Sequence, residues 1–281
     1  MTNFVFQTDS EIVQKVYQEN PNYLIESSDS GDQKSCTIYF CSNDIYYPNN
    51  EDIFKKRMIN DNLFEWFGTR IQKSSKHFFV RDICKQWYLS GINSDINSPH
   101  QLFEFLQRET MGYKVITIGS SAGGYAAILY GCLLKAEHVI AFNPQFELNS
   151  LLKNSCEDID PLIFRLQNTP MSKYYDLHDL VNDSPTDIFY FYSNKSHWDI
   201  EQFDHVRDIK EIHRISFSTK HHGIPFLKVC LPKVINMDKS ALLRLSQKKH
   251  HPLFFSIKMV GLLNVFRGLI VQIYKAYKKR K

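Results

Sequence analysis

A chain of 281 residues, 43% hydrophobic and 14% aromatic, has the material for one large packed domain, alone or with an appendage, and is not a natively unfolded chain. Its six cysteines (36, 41, 84, 132, 156 and 230) form no CxxC pair and no Cys/His cluster at zinc spacing, so a zinc framework is excluded and no metal is expected. The formal charge of +4 is unevenly spread: residues 239–281 hold 11 Lys and Arg and no Asp or Glu, leaving 23 basic against 30 acidic residues before them. A mildly acidic body thus carries a strongly basic tail, and the tail is what faces an anionic partner; no nucleic-acid partner is expected.

The scattered cysteines, several within apolar runs, read as reduced thiols of a cytoplasmic protein. The N-terminal stretch "MTNFVFQTDSEIVQK" has no basic start and no long apolar run, so no secretory signal is read there.

In chain order, "YLIES" (23–27) suggests an edge strand and "CTIYFC" (36–41) a buried one. Helical spacing covers 50–60, "HFFV" (77–80) is a strand, and 100–110 is helical again. "KVITIG" (114–119), a helix over 122–135 and "HVIAFN" (138–143) continue the alternation. Residues 144–186 break it; they are long, polar in places and contain Pro161 and Pro170, so they read as an inserted cap or lid. "DIFYFYS" (187–193), a helix over 199–210 and "IHRISF" (212–217) close the series. Strands alternating with helices predict an α/β fold, a mostly parallel sheet with helices on both faces. The expected organisation is a catalytic domain over 1–238, with 144–186 as its cap, and a separate tail over 239–281.

Within "VITIGSSAGGYAAILYG" (115–131), Gly119-Ser120-Ser121-Ala122-Gly123 fits G-x-S-x-G. That pattern puts a serine on a sharp strand-to-helix turn, where its neighbours two before and two after must be small. A phosphate loop would need Gly-Lys-Ser/Thr, which is absent. Ser121 rather than Ser120 is the expected nucleophile. The N–H of Ala122 then points to where an oxyanion would form, at the positive end of a helix.

A nucleophilic serine needs a base and an acid, and with such a turn the chain order is Ser, acid, His. The last strand is followed by "STKHHGIPF", which supplies His221 and His222. His222 is preferred, because Gly223 leaves its loop free to bring the ring over Ser121. The acid should follow "DIFYFYS", where the first carboxylate is Asp199 and the next Asp204. Asp199 is preferred, although a helix N-cap is its ordinary alternative role. A second oxyanion donor is expected from Ser42 or Asn43 in "CSNDIYYPN", residues that also favour plain turns. Asp82, Trp87 and Tyr88 in "RDICKQWYLSG" (81–91) are candidates to face substrate, or packing residues.

These residues resemble the α/β-hydrolase superfamily, across roughly residues 30 to 237. A finer likeness is to bacterial serine O-acetyltransferases of capsule and surface-glycan synthesis, carried by the doublet Gly123-Gly124 and the turn Asn143-Pro144-Gln145. The resemblance implies a cytoplasmic, three-layer α/β-hydrolase-like enzyme with acetyl-CoA as donor and a glycan hydroxyl as acceptor. It implies Ser121, Asp199 and His222 as the triad. The long loop before the acid and the basic tail depart from the pattern. A carboxylesterase or deacetylase of the same fold remains open, as does a non-catalytic partner in glycan assembly or export.

In the tail, Met259, Leu262, Leu263, Phe266, Leu269, Ile270, Ile273 and Tyr277 recur at helical spacing, with Asn264, Arg267, Gln272, Lys275, Lys278 and Lys279 largely opposite. Lys258 and Arg267 interrupt the run, so a spanning helix is not expected. Two readings stay open: a helix docked on the body, or one lying in the anionic inner leaflet of the bacterial membrane.

Overall fold

The structure is a computed structural model and describes residues 4–27 and 34–279. The chain opens with helices α1 (Phe6–Asp9) and α2 (Glu11–Glu19), then strands β1 (Tyr23–Ser27) and β2 (Ser35–Phe40). Helix α3 (Glu51–Phe54) runs into a wider π-helical turn over Lys55–Asn60, before β3 (Lys76–Val80) and α4 (Pro99–Glu109). Next come β4 (Lys114–Ser120), α5 (Ala122–Leu133) and β5 (His138–Phe142). Three short helices follow, α6 (Leu151–Asn154), α7 (Pro161–Leu166) and α8 (His178–Asn182). After them lie β6 (Asp187–Ser193), α9 (His197–His205), β7 (Ile212–Phe217) and α10 (Leu231–Ile235). The chain closes with α11 (Lys239–Ser246), β8 (Lys249–His250), α12 (Pro252–Val260) and α13 (Leu262–Lys279).

The strands form one sheet in the order β1-β3-β2-β4-β5-β6-β7-β8. Only the β1–β3 pair is antiparallel. This is the mostly parallel sheet read from the alternation of strand and helix. The register brings the strand ends level: Phe40 pairs with Gly119, Ser120 with Phe142, Phe142 with Phe191, and Ser193 with Phe217. The loops that leave these ends share one edge, which is where ligands settle in sheets of this kind.

Because side chains alternate along a strand, each strand feeds both faces. Ile38 and Phe40 of β2 belong to one core, with Leu102 of α4 and Ala126 of α5. Tyr39 and Cys41 belong to the other, with Phe54 of α3 and Val234 of α10. The sheet is therefore buried on both sides, as a doubly covered parallel sheet requires. Residues 144–186 pack on the first core through Phe146, Leu148, Ile163 and Tyr175. Within them, Glu147 and Asp176 form an antiparallel bridge. The six cysteines are free thiols, five buried and Cys156 exposed.

No gap in packing marks residue 238. Leu242 of α11 and Phe255 of α12 lie in the second core, and β8 extends the sheet beside β7. Residues 239–260 are thus part of the packed body. The helical face expected to run unbroken from Met259 to Tyr277 is broken at Gly261, whose φ of +81° suits glycine. There α12 and the first part of α13 are bent by 116°. The side chains of Gln272, Ile273, Lys275, Tyr277, Lys278 and Lys279 lie outside the described residues. Among the described residues no single helix is long and apolar enough to cross a membrane.

Candidate active site

The turn between β4 and α5 shows why its residues are small. A Cβ on Gly119 would sit 2.0 Å from the carbonyl oxygen of Gly123, and one on Gly123 would sit 2.4 Å from that of Phe40. A Cβ on Gly124 would meet the Pro144 ring at 2.8 Å. Strand β2, the turn and the chain after β5 are pressed together at backbone distance. Ser121 has φ +52° and ψ −123°, a strained conformation held by its N–H bond to the Phe142 carbonyl at 2.9 Å. Its hydroxyl stands at the start of the twelve-residue α5. There the Ala122 N–H is one of the first donors, which have no acceptor within the helix.

The structure brings Ser121, His222 and Asp199 together. His222 Nε2 is 2.9 Å from Ser121 Oγ, and His222 Nδ1 is 2.8 Å from Asp199 Oδ1. A carboxylate only accepts, so Nδ1 carries the proton and Nε2 is left to accept from the serine hydroxyl. Asp199 is buried while the His222 side chain remains 29% exposed. Asp199 sits in the first turn of α9 but is not its cap. Ser196 is the N-cap, accepting from Asp199 N, which leaves the carboxylate for the imidazole. His221 is exposed, and Asp204 pairs with Arg207 on the outer surface of α9.

Three residues without an expected role hold the imidazole in place. Asn143, fully buried, donates through Nδ2 to the carbonyls of Gly223 (2.7 Å) and His221 (3.3 Å), the residues on either side of His222. Its Oδ1 accepts from Ser193 N at 2.8 Å. Ser193 Oγ in turn donates to the His221 carbonyl at 2.6 Å. Trp198 stacks on the imidazole, with ring centroids 4.8 Å apart and planes 19° apart. The first two lie at the ends of β5 and β6, the signal that could have singled them out. Asn143 also has a φ of +40°, which asparagine tolerates better than most residues.

Other expected positions are placed differently. Ser42 N and Oγ donate to the two carboxylate oxygens of Glu65, at 2.6 and 3.1 Å. The Ser42 N–H is therefore committed to a neighbouring anion and does not serve an oxyanion. Burial is the largest influence on the Glu65 carboxyl and raises its pKa. Asn43, half-buried, opens the 3-10 turn Asn43–Ile45 beside it.

Asp82, Trp87 and Tyr88 are all buried, and their polar atoms bond within the protein, the packing role that the sequence left open for them. The Asp82 carboxylate accepts from the N–H groups of Cys84, Lys85, Gln86 and Tyr88. It fixes a loop in which Lys85, Trp87 and Tyr88 all have positive φ. Trp87 Nε1 donates to Gln145 Oε1 at 3.0 Å, and Tyr88 Oη to the Cys41 carbonyl at 2.9 Å. Burial pulls Lys85 down to about 8, and its Nζ donates to Tyr46 O and Asn49 Oδ1. Among the described residues no group of three or more His, Cys, Asp or Glu is arranged to hold a metal ion.

The sheet order, the serine turn after β4 and a histidine loop after β7 define the fold as α/β-hydrolase-like. No protein-family model and no curated protein matches the chain. Among solved structures it is similar to the capsule O-acetyltransferase of Neisseria meningitidis serogroup A, with 13% identity, 66% of this chain and 76% of that chain covered, and a TM-score of 0.47. It is also similar to MenH from S. aureus, with 8% identity, 81% and 100% covered, and a TM-score of 0.44. A third is an α/β-hydrolase enzyme from a lagoon-sediment metagenome, with 13% identity, 68% and 81% covered, and a TM-score of 0.38.

Proposed function

We propose that this protein is a serine acyltransferase that moves an acetyl group from acetyl-CoA to a hydroxyl of a bacterial capsule or surface glycan. The observation that carries acyl transfer is the pair of short hydrogen bonds through which His222 links Ser121 to Asp199. Asp199 holds the imidazole in the tautomer with Nδ1 protonated, so Nε2 takes the serine proton as Oγ attacks the thioester carbonyl. The Ala122 N–H, at the start of α5, donates to the resulting oxyanion, and the second donor in this reading is the Asn43 N–H, since that of Ser42 is bonded to Glu65. Collapse returns the proton from Nε2 to the departing sulfur and leaves an acetyl ester on Ser121. A glycan hydroxyl then gives its proton to Nε2 and attacks the ester, and Ser121 regains its proton as the acetylated glycan leaves.

Acetyl-CoA and glycan come from the sequence resemblance at Gly123-Gly124 and Asn143-Pro144-Gln145. A second reading, a carboxylesterase or deacetylase, is favoured by the 29% exposure of the His222 side chain, which leaves the base open to water. Intact-mass spectrometry after mixing with acetyl-CoA tests the first half-reaction. One acetyl group should appear on Ser121 and none on a Ser121→Ala variant. Supplying glycan with acetyl-CoA tests the second: acetylated glycan supports transfer. Free acetate at the same rate with and without glycan would make the protein a hydrolase.

A further inference from the structure

Helix α13 rests on the body by a narrow face. Val265 is buried, Leu269 is half-buried, and a Cβ on Gly268 would lie 3.0 Å from Val229. Away from that face, Leu263, Phe266 and Ile270 form an exposed stripe, with Leu262 and Val271 at its two borders; the five are between 49% and 76% exposed. Helix α12 also leaves Leu253 and Phe254 exposed, although its Phe255 and Ser256 are buried. Scattered single apolar residues on a surface need no explanation, but three large ones in one stripe of one helix, with two more at its borders, do.

We propose that this face lies in the surface of an anionic lipid bilayer, parallel to its plane. Charge selects the occupant. The segment 239–281 holds 11 Lys and Arg and no Asp or Glu; Lys239 is paired with Asp187 of the body, and the segment brings no anion of its own to acidic headgroups. A second copy on the same face would bring two such segments together, like charge against like. The geometry sets the orientation. α12 and the start of α13 have between them the length and composition of a span but are bent by 116°. Straightening them about Gly261 would pull either Phe255 from its contacts with Phe217 and Phe226, at ring distances of 5.0 and 5.2 Å, or Val265 and Gly268 from the body. The apolar face of α13 therefore enters the headgroup boundary without crossing it, the arrangement of an interfacial amphipathic helix. The site of attachment lies beside the histidine loop. Leu227, five residues past His222, donates its N–H to Ser256 Oγ of α12 at 3.2 Å.

The test is co-sedimentation of the full chain with vesicles of phosphatidylcholine and phosphatidylglycerol, against phosphatidylcholine alone. At low salt the protein should pellet with the anionic vesicles only, and added salt should release it. The pair Phe266→Asp and Ile270→Asp should weaken binding at least about tenfold. Its melting temperature and its ester hydrolysis should stay unchanged, since both positions are exposed. The milder pair Phe266→Ala and Ile270→Ala, which keeps helix propensity, should weaken it in the same direction. Arg267→Gln should weaken it about fivefold. A full chain that stays in the supernatant with anionic vesicles at low salt overturns the proposal. So does a dimer in light scattering that the Phe266/Ile270 variants convert to monomer, which would make a second copy the occupant.

Discussion

Asn143 gives the sharpest test of how the imidazole is held. Replacing it with alanine removes the Nδ2 bonds to Gly223 O, Ser193 Oγ and His221 O, and the Oδ1 bond from Ser193 N. The Ser193 N–H, fully buried at the end of β6, loses its acceptor, at about 1–3 kcal/mol. Alanine at φ +40° adds roughly 1 kcal/mol of backbone strain that asparagine largely escapes. The expected destabilisation is about 3 kcal/mol, a fall in melting temperature on the order of 5–10 °C. The loop 221–223 loses its clamp on both sides of the imidazole, and a displacement of about 1 Å costs about a hundredfold in rate. Asn143→Gly separates the two effects: glycine accepts the positive φ, so about 1 kcal/mol of stability should return while the rate does not. The assay is steady-state hydrolysis of a small chromogenic acetate ester, with kcat and KM read separately, beside thermal unfolding. The loss should fall on kcat. An Asn143→Gly enzyme with kcat within about threefold of the parent would refute the clamp.

The other expectations are briefer. Ser121→Ala should lower turnover by about four to six orders of magnitude without lowering the melting temperature; retention of about a tenth of the activity would end the serine mechanism. His222→Ala should be far more damaging than His221→Ala, and Asp199→Asn far more than Asp204→Asn, because only the first of each pair lies in the hydrogen-bonded chain; the comparison is of kcat/KM in the four variants. Burial pulls buried His138 from 6.5 down to about 4. The unfolded chain therefore binds the proton first, so stability is full above about pH 6.5 and falls through the interval down to about pH 4. Urea unfolding across that interval should show a loss of roughly 3 kcal/mol that His138→Gln largely removes; an unchanged slope would contradict it.

The strands and the serine turn were legible because their signals are local. An apolar run, a glycine and a cluster of small residues fix the path from β4 to α5 within the span 115–131. Loop residues were harder. Ser42 offered the right donor on the right loop, but the Glu65 carboxylate that engages it lies 23 residues away. Asp82, Trp87 and Tyr88 looked like substrate contacts because aromatic and acidic side chains after a strand fit either role. Their inward direction follows from the positive φ of Lys85, Trp87 and Tyr88, which no propensity for those residue types suggests. β8 is two residues long and exists only through its pairing with β7. Gly261 was visible in the sequence, but the 3.6-residue period runs through it unbroken, and only its φ shows that the helix stops.

The reacting groups are far apart in the chain. Ser121 and His222 are 101 positions apart, with Asp199 23 before the histidine. They are carried by the turn after β4, the helix after β6 and the loop after β7, and Asn143 at the end of β5 ties the end of β6 to that loop. Four neighbouring strands must therefore be in register before any nucleophile exists. No fragment ending before residue 222 holds the constellation, so a growing polypeptide stays inert until nearly the whole sheet has left the ribosome. Reactivity of Ser121 toward a fluorophosphonate thus reports the assembly of the sheet's centre rather than its local order, and it should appear in refolding as late as the slowest long-range pairing.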